Sequence, residues 1–116
     1  MKLTYEEIAK ICHENNRAYC HIWGDYSQPA WEHLSPEQKA MNVNGVEFHM
    51  ANPDASPKAS HENWMAQKKA QGWKYGPTKD VFKKEHPELI PFGDLALADK
   101  GKDLLFGNLV NILRRI

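Results

Sequence analysis

An all-α, mainly helical single domain made of two helix-turn-helix halves is predicted for this chain by three observations. Its length and composition suit one core, several segments carry helix-start chemistry, and a set of motifs occurs twice in the same order. The 116 residues would starve a second core of apolar material, since single cores are usually built from about 100 to 150 residues. Hydrophobic residues at 41% and charged residues at 26% form too apolar a mixture for a disordered chain. One domain over residues 1–116 is therefore expected, and it should fold alone.

The helix signals have chemical reasons. Thr4 stands three residues before Glu7, the capping-box spacing in which hydroxyl and carboxylate satisfy each other's backbone N–H groups, and Ile8, Ile11, Cys12, Tyr19 and Ile22 follow as an apolar face. A helix over about residues 5–20 results, ended by Trp23-Gly24-Asp25. Ser27-Gln28-Pro29 leads as a loop to a short turn carrying Trp31 and Leu34. Ser35-Pro36-Glu37-Gln38 is a second start signal, with proline at the first helical position, where its missing N–H costs nothing. That helix should reach Met41 or beyond. From Asn42 to Asn52 a strand-like alternation through Val43, Val46, Phe48 and Met50 competes with an Asn44-Gly45 pair that has no hairpin partner, and helix or irregular structure is expected.

Ser56-Pro57 opens a third helix to about Gln71, with Gly72 as its stop. Trp73 to Pro77 reads as a loop, Thr78 as the cap of a short turn through Val81 and Phe82, and Pro87 drives His86 out of the α region. From Leu95 to Ile116 an apolar stripe through Leu97, Leu104, Leu105, Leu109, Ile112 and Leu113 predicts a C-terminal helix, weakened by Gly101 and Gly107.

The echo runs as follows: His13-Glu14-Asn15 recurs as His61-Glu62-Asn63, and each is followed by a tryptophan turn, at Trp23-Gly24 and Trp73-Lys74. Downstream, Trp31, Leu34 and Lys39 have the spacing of Phe92, Leu95 and Lys100. Two halves packed about a pseudo-twofold axis are expected, with a cleft between them as a natural place for a ligand.

Fifteen basic residues balance fifteen acidic ones, so no overall field steers the chain to DNA or an anionic membrane, and nucleic acid and membrane partners are disfavoured. Apolar runs are short and Met1-Lys2-Leu3-Thr4 leads straight into a polar helix pattern, which predicts a cytoplasmic protein with no spanning helix and no signal peptide. Cys12 and Cys20 on one helix would lie about 12 Å apart, too far for a disulfide, so free thiols are expected.

With these residues stated, the sequence resembles the RyR domain, the repeat that ryanodine receptors carry in tandem and that also occurs as small bacterial and viral proteins. The resemblance is carried by Ile8 through Tyr19 (IAKICHENNRAY), Trp31 with Ser35-Pro36-Glu37-Gln38-Lys39, His61-Glu62-Asn63-Trp64-Met65, Gly72-Trp73-Lys74-Tyr75-Gly76, and His86-Pro87 followed by Leu89-Ile90-Pro91-Phe92. It implies an all-helical domain without metal, cofactor or catalytic residues. It also implies an adenine-type ligand stacked on Trp64. A site shared between two tandem repeats would have to be completed here by the internal repeat or by a homo-oligomer.

Trp64, Trp73 and Tyr75 supply flat faces, each able to stabilise a stacked ring by roughly 1 to 3 kcal/mol, although aromatics as often fill a small core. Lys68, Lys69, Lys74, Lys79, Lys83 and Lys84 surround them. With the glycine and helix starts nearby they form a candidate phosphate cradle, against the ordinary reading of lysines as a solvated face. Arg17, one turn after His13, would clamp a phosphate or carboxylate, or pair with Glu14 or an acid of another helix. In His13-Glu14-x-x-Arg17 the second metal ligand of H-E-x-x-H is replaced by an arginine, and the six histidines show no ligand spacing with the cysteines. His13 and His61 are expected instead as buried hydrogen-bonding groups, with His61 beside the ligand.

No nucleophile with a base, paired carboxylates or metal set is discernible, so an enzyme is not expected. The leading expectation is a non-enzymatic module for a small, anionic purine-type ligand, an adenine nucleotide or nucleotide-derived signal that is sensed or sequestered. Trp64, Trp73, Tyr75 and His61 would surround it, and Arg17, Lys79 and Lys83 would meet phosphate. The alternative is a protein-interaction or assembly module that uses the aromatic loop around Trp73.

Overall fold

The computed structural model describes residues 2–116. Four α-helices are found among them: α1 (Tyr5–Ile22), α2 (Pro36–Ala51), α3 (Pro57–Ala70) and α4 (Leu97–Leu113). Three of the four begin as their sequences require. Thr4 Oγ1 accepts from the Glu7 N–H at 3.1 Å while Glu7 Oε1 accepts from the Thr4 N–H at 2.8 Å. Ser35 and Gln38 exchange the same pair of bonds at 3.1 and 2.9 Å, and Ser56 Oγ accepts from the Ala59 N–H at 3.1 Å. Each cap satisfies backbone donors that the first helical turn leaves open.

The core joins Ile8, Ala9 and Cys12 of α1 to Val46 of α2 and Val110 of α4, closed at one end by Trp31 and Leu34. α4 packs against all three other helices. Two glycines allow it to do so, because a Cβ on Gly107 would come within 2.9 Å of the His49 ring and one on Gly45 within 2.9 Å of the Phe106 ring. The region left ambiguous by its sequence is thus continuous helix to Ala51, and Asn44-Gly45 is no turn: glycine is there for close approach by α4. Among the described residues no helix is long and apolar enough to cross a membrane. Cys12 and Cys20 are free and buried.

The sequence echo is repeated in contacts. His13 Nε2 donates to the Pro29 carbonyl at 2.7 Å, and His61 Nε2 to the Ile90 carbonyl at 2.8 Å. Short 3-10 turns follow at Trp31–His33 and Phe92–Asp94. The His13 and Trp31 rings stand 6.0 Å apart at 57°, those of His61 and Phe92 6.0 Å apart at 56°. Lys39 and Lys100 each hold an ammonium 5.6 Å from the ring of that turn. α1 and α3 also end alike, with Gly24 at φ 79° and Gly72 at φ 89°, left-handed positions that favour glycine.

Three local expectations are corrected. The C-terminal helix starts at Leu97 because Phe92–Asp94 is a 3-10 turn and Leu95 is buried at its end. The segment after α3 is not all loop: β1 (Lys74–Tyr75) pairs in parallel with β2 (Glu85–His86). Between them Asp80, not Thr78, organises the turn, bonding Glu85 in both directions and accepting the Lys83 N–H on its carboxylate at 3.0 Å. Lys84 takes φ 54°, and its ammonium ties the tip to the Gln71 carbonyl at 2.8 Å.

Candidate functional site

A cleft of about 230 Å³ opens between α1 and α2 on one side and α3, the β2 segment and α4 on the other. Its lining includes five pairs of positions equivalent in the echo: His13 and His61, Asn16 and Trp64, Met41 and Lys102, Asn42 and Asp103, Gly45 and Phe106. The chemistry of each pair is unequal. The first half contributes amides and room, and the second contributes the tryptophan, the charges and the phenyl ring. Such a volume is below the about 300–1,000 Å³ usual for drug-sized ligands.

Trp64 is half-buried on the cleft wall. His61 stacks on it at 5.5 Å and 25°, and His86 meets it edge-on at 5.0 Å and 78°. Because His61 Nε2 is committed to the Ile90 carbonyl, its Nδ1 is left facing Asp103, whose Oδ2 is 3.7 Å away. The floor carries opposed charges. Lys102 Nζ lies 3.2 Å from both Glu88 and Asp99.

Burial, reinforced by Glu88, pushes the Asp103 carboxyl up to about 7. Burial raises Glu88 as well, against the pull of Lys102. For Lys102, burial opposes the ammonium, but Glu88 and Asp99 outweigh it and hold its pKa above the usual lysine range. His86 is pushed down to about 4, first by burial and then by Lys79 and Lys68. Its Nδ1 accepts from the Glu88 N–H at 3.1 Å, which fits an uncharged ring.

Of the residues singled out from sequence, Trp64, His61 and Lys79 line this cleft, and Trp73, Tyr75, Arg17 and Lys83 do not. Trp73 lies behind the wall: the Lys68 ammonium sits 4.1 Å from its ring centroid, so it holds Lys68 toward the cleft by cation–π attraction. Tyr75 is exposed on β1, and Lys83 is exposed at the turn tip. Arg17 is spent on its own half, with Nη1 3.1 Å from Glu14 and Nε donating to the Gln28 carbonyl. Glu14 in turn accepts the Trp31 N–H at 2.9 Å, capping a turn of its own half.

Lys68, one of the lysines of the phosphate cradle read from the sequence, also lines the cleft, whereas sequence reasoning missed Glu88, Lys102 and Asp103 altogether. The echo could have found the last, since Asp103 stands to Asn42 as Lys100 stands to Lys39. It also missed a buried contact between His49 Nε2 and Ser60 Oγ at 3.1 Å. His49 Nδ1 has no hydrogen-bond partner among the described residues, and burial lowers the pKa of the ring. Among the described residues no group of three His, Cys, Asp or Glu is placed to hold a metal ion.

Fold and cleft together define a small four-helix domain with an internally repeated contact pattern and an aromatic, charged opening between its parts. The RyR domain profile matches residues 40–114, well over half of the chain and including α3, α4 and the segment between them, and the chain belongs to the RyR domain family.

Proposed function

We propose that this domain is a non-enzymatic binding module that holds a small, anionic purine-type ligand, an adenine nucleotide or nucleotide-derived signal, in the cleft between two halves related by a pseudo-twofold axis. One observation carries the reading: the cleft combines a tryptophan wall, amides from the first half and two lysines, Lys68 and Lys79, within a volume suited to one base. The base would lie against Trp64, with the sugar toward the rim and phosphate near the lysines. The matched histidine, ring and lysine contacts support the twofold relation. A binding role is favoured over catalysis because the Ser60 hydroxyl in the cleft faces a His49 whose Nδ1 has no hydrogen-bond partner among the described residues, so no acid orients that ring as a base. The free thiols fit a reducing, cytoplasmic setting.

A thermal-shift series with adenosine monophosphate and cyclic or dinucleotide relatives tests the proposal, since a ligand at about 100 times its Kd adds about 2.7 kcal/mol of stability. Stabilisation by none of them would remove it. A second reading, an interaction or assembly module, draws on the exposed Tyr75, Val81 and Phe82 beside Trp73. It predicts a mass that rises with concentration and no response to nucleotides.

A further inference from the structure

The nucleotide reading leaves open which purine is chosen, and the cleft floor holds a group able to choose. Asn42 and Asp103 occupy equivalent positions on α2 and α4, and both line the cleft. The Asn42 amide presents one donor and one acceptor at every pH. Asp103 is different, because its carboxyl has two hydrogen-bonding characters. Ionised, it only accepts, and it complements a base edge with two adjacent N–H donors. Protonated, it donates and accepts, and it complements an edge with one acceptor beside one donor. Guanine offers the first edge through its N1–H and its amino group, and adenine the second through N1 and its amino group.

We propose that Asp103 is the specificity-determining residue of the cleft, taking guanine when ionised and adenine when protonated. The inference rests on the nucleotide reading and adds to it a choice of base governed by one proton. Burial and Glu88 hold this carboxyl's pKa near neutrality, so both states are within reach of ordinary conditions. The groups around it are assigned. From α3 come His61, whose Nδ1 faces Asp103 at 3.7 Å, Ser60 and Lys68; from the β2 segment, His86 and Glu88. Asp99 and Lys102 share α4 with it, Lys79 is at the rim, and His13 lies across the cleft on α1. The cleft lining from α2 has no titratable side chain; of that helix's titratable groups, His49 meets the site through Ser60 and Glu37 acts on Lys68.

The test is a pair of affinities, for adenosine and guanosine monophosphate, measured calorimetrically at about pH 5.5 and about pH 8.5 on the parent protein and on Asp103→Asn. Both ligands carry the same phosphate, so its titration cancels in their ratio. In the parent, the preference for the adenine nucleotide should fall by roughly tenfold or more from the lower to the higher pH, the scale expected for one two-point edge contact. Asp103→Asn fixes one donor beside one acceptor, so its preference should stay with adenine at both pH values. Binding of both nucleotides by the parent with a pH-independent ratio would overturn the role of Asp103 while leaving the nucleotide reading in place. So would a pH-dependent ratio that survives unchanged in Asp103→Asn, since another group would then be its source. Absence of binding by either nucleotide at either pH would overturn both.

Discussion

At Trp64 one ring face is taken by His61 and an edge by His86, so a ligand must use the side turned to the cleft. Trp64→Ala should therefore keep the helical circular-dichroism spectrum while weakening adenosine monophosphate by roughly 1 to 3 kcal/mol in a calorimetric titration, the worth of one stacked ring. Lys79→Ala should weaken the nucleotide more than the bare nucleoside, with added salt eroding the difference because exposed charges are screened. Lys83→Ala should change neither, since Lys83 sits on the turn tip away from the cleft. Protonation offers a second measure at this scale. Asp103, with its pKa raised to about 7 in the fold from about 3.9 unfolded, binds its proton more tightly when folded, so its contribution to stability is lost as pH rises through that window. His86, lowered to about 4 from about 6.5 unfolded, has the opposite sign and loses stability as pH falls from about 6.5 to about 4, on the order of 3 kcal/mol in all. Melting temperatures across pH should thus decline less toward alkali in Asp103→Asn and less toward acid in His86→Gln. Trp64 was marked in the sequence by the family resemblance more than by any spacing or periodicity. Asp103 was not, because it lies 39 positions from Trp64 on a helix whose apolar stripe dominates its pattern.

At the scale of elements, caps were the most readable chemistry, since a serine or threonine at the right spacing acts locally whatever the rest of the chain does. Ser35→Ala should cost about 1 kcal/mol in urea unfolding, the usual value of a lost cap. Gly107→Ala separates propensity from packing. Alanine favours a helix by about 1 kcal/mol over glycine, but its Cβ would press on the His49 ring at 2.9 Å, and overpacking of this kind costs typically 1–3 kcal/mol. A net loss of stability is expected, and a gain would show that the α2–α4 approach is loose. The fate of α2 illustrates the limit of pattern: Asn44-Gly45 reads locally as a turn, and only the Phe106 ring, 61 positions after Gly45, explains it as a helix contact. The two-residue strands escaped notice for the same reason, because a pairing of Lys74-Tyr75 with Glu85-His86 leaves no periodicity to detect.

Over the whole molecule, a repeat visible as a few matching residues became two sets of nearly identical contacts, while the cleft they bound acquired unequal walls. The repeat was legible because histidine, ring and lysine are kept in both halves. The inequality was legible only in part, because it depends on which substituted positions face inward: Asn16 against Trp64, Asn42 against Asp103, Gly45 against Phe106. The measurement that tests the central claim most directly is a map of amide and indole chemical shifts during titration with adenosine monophosphate. Saturable shifts should appear at the Trp64 indole and at Asn16, Asn42 and Lys79, drawing on both halves, with Arg17, Tyr75 and Lys83 unmoved. Shifts confined to the segment from Tyr75 to Lys84, or none at all, would contradict a ligand site between the halves.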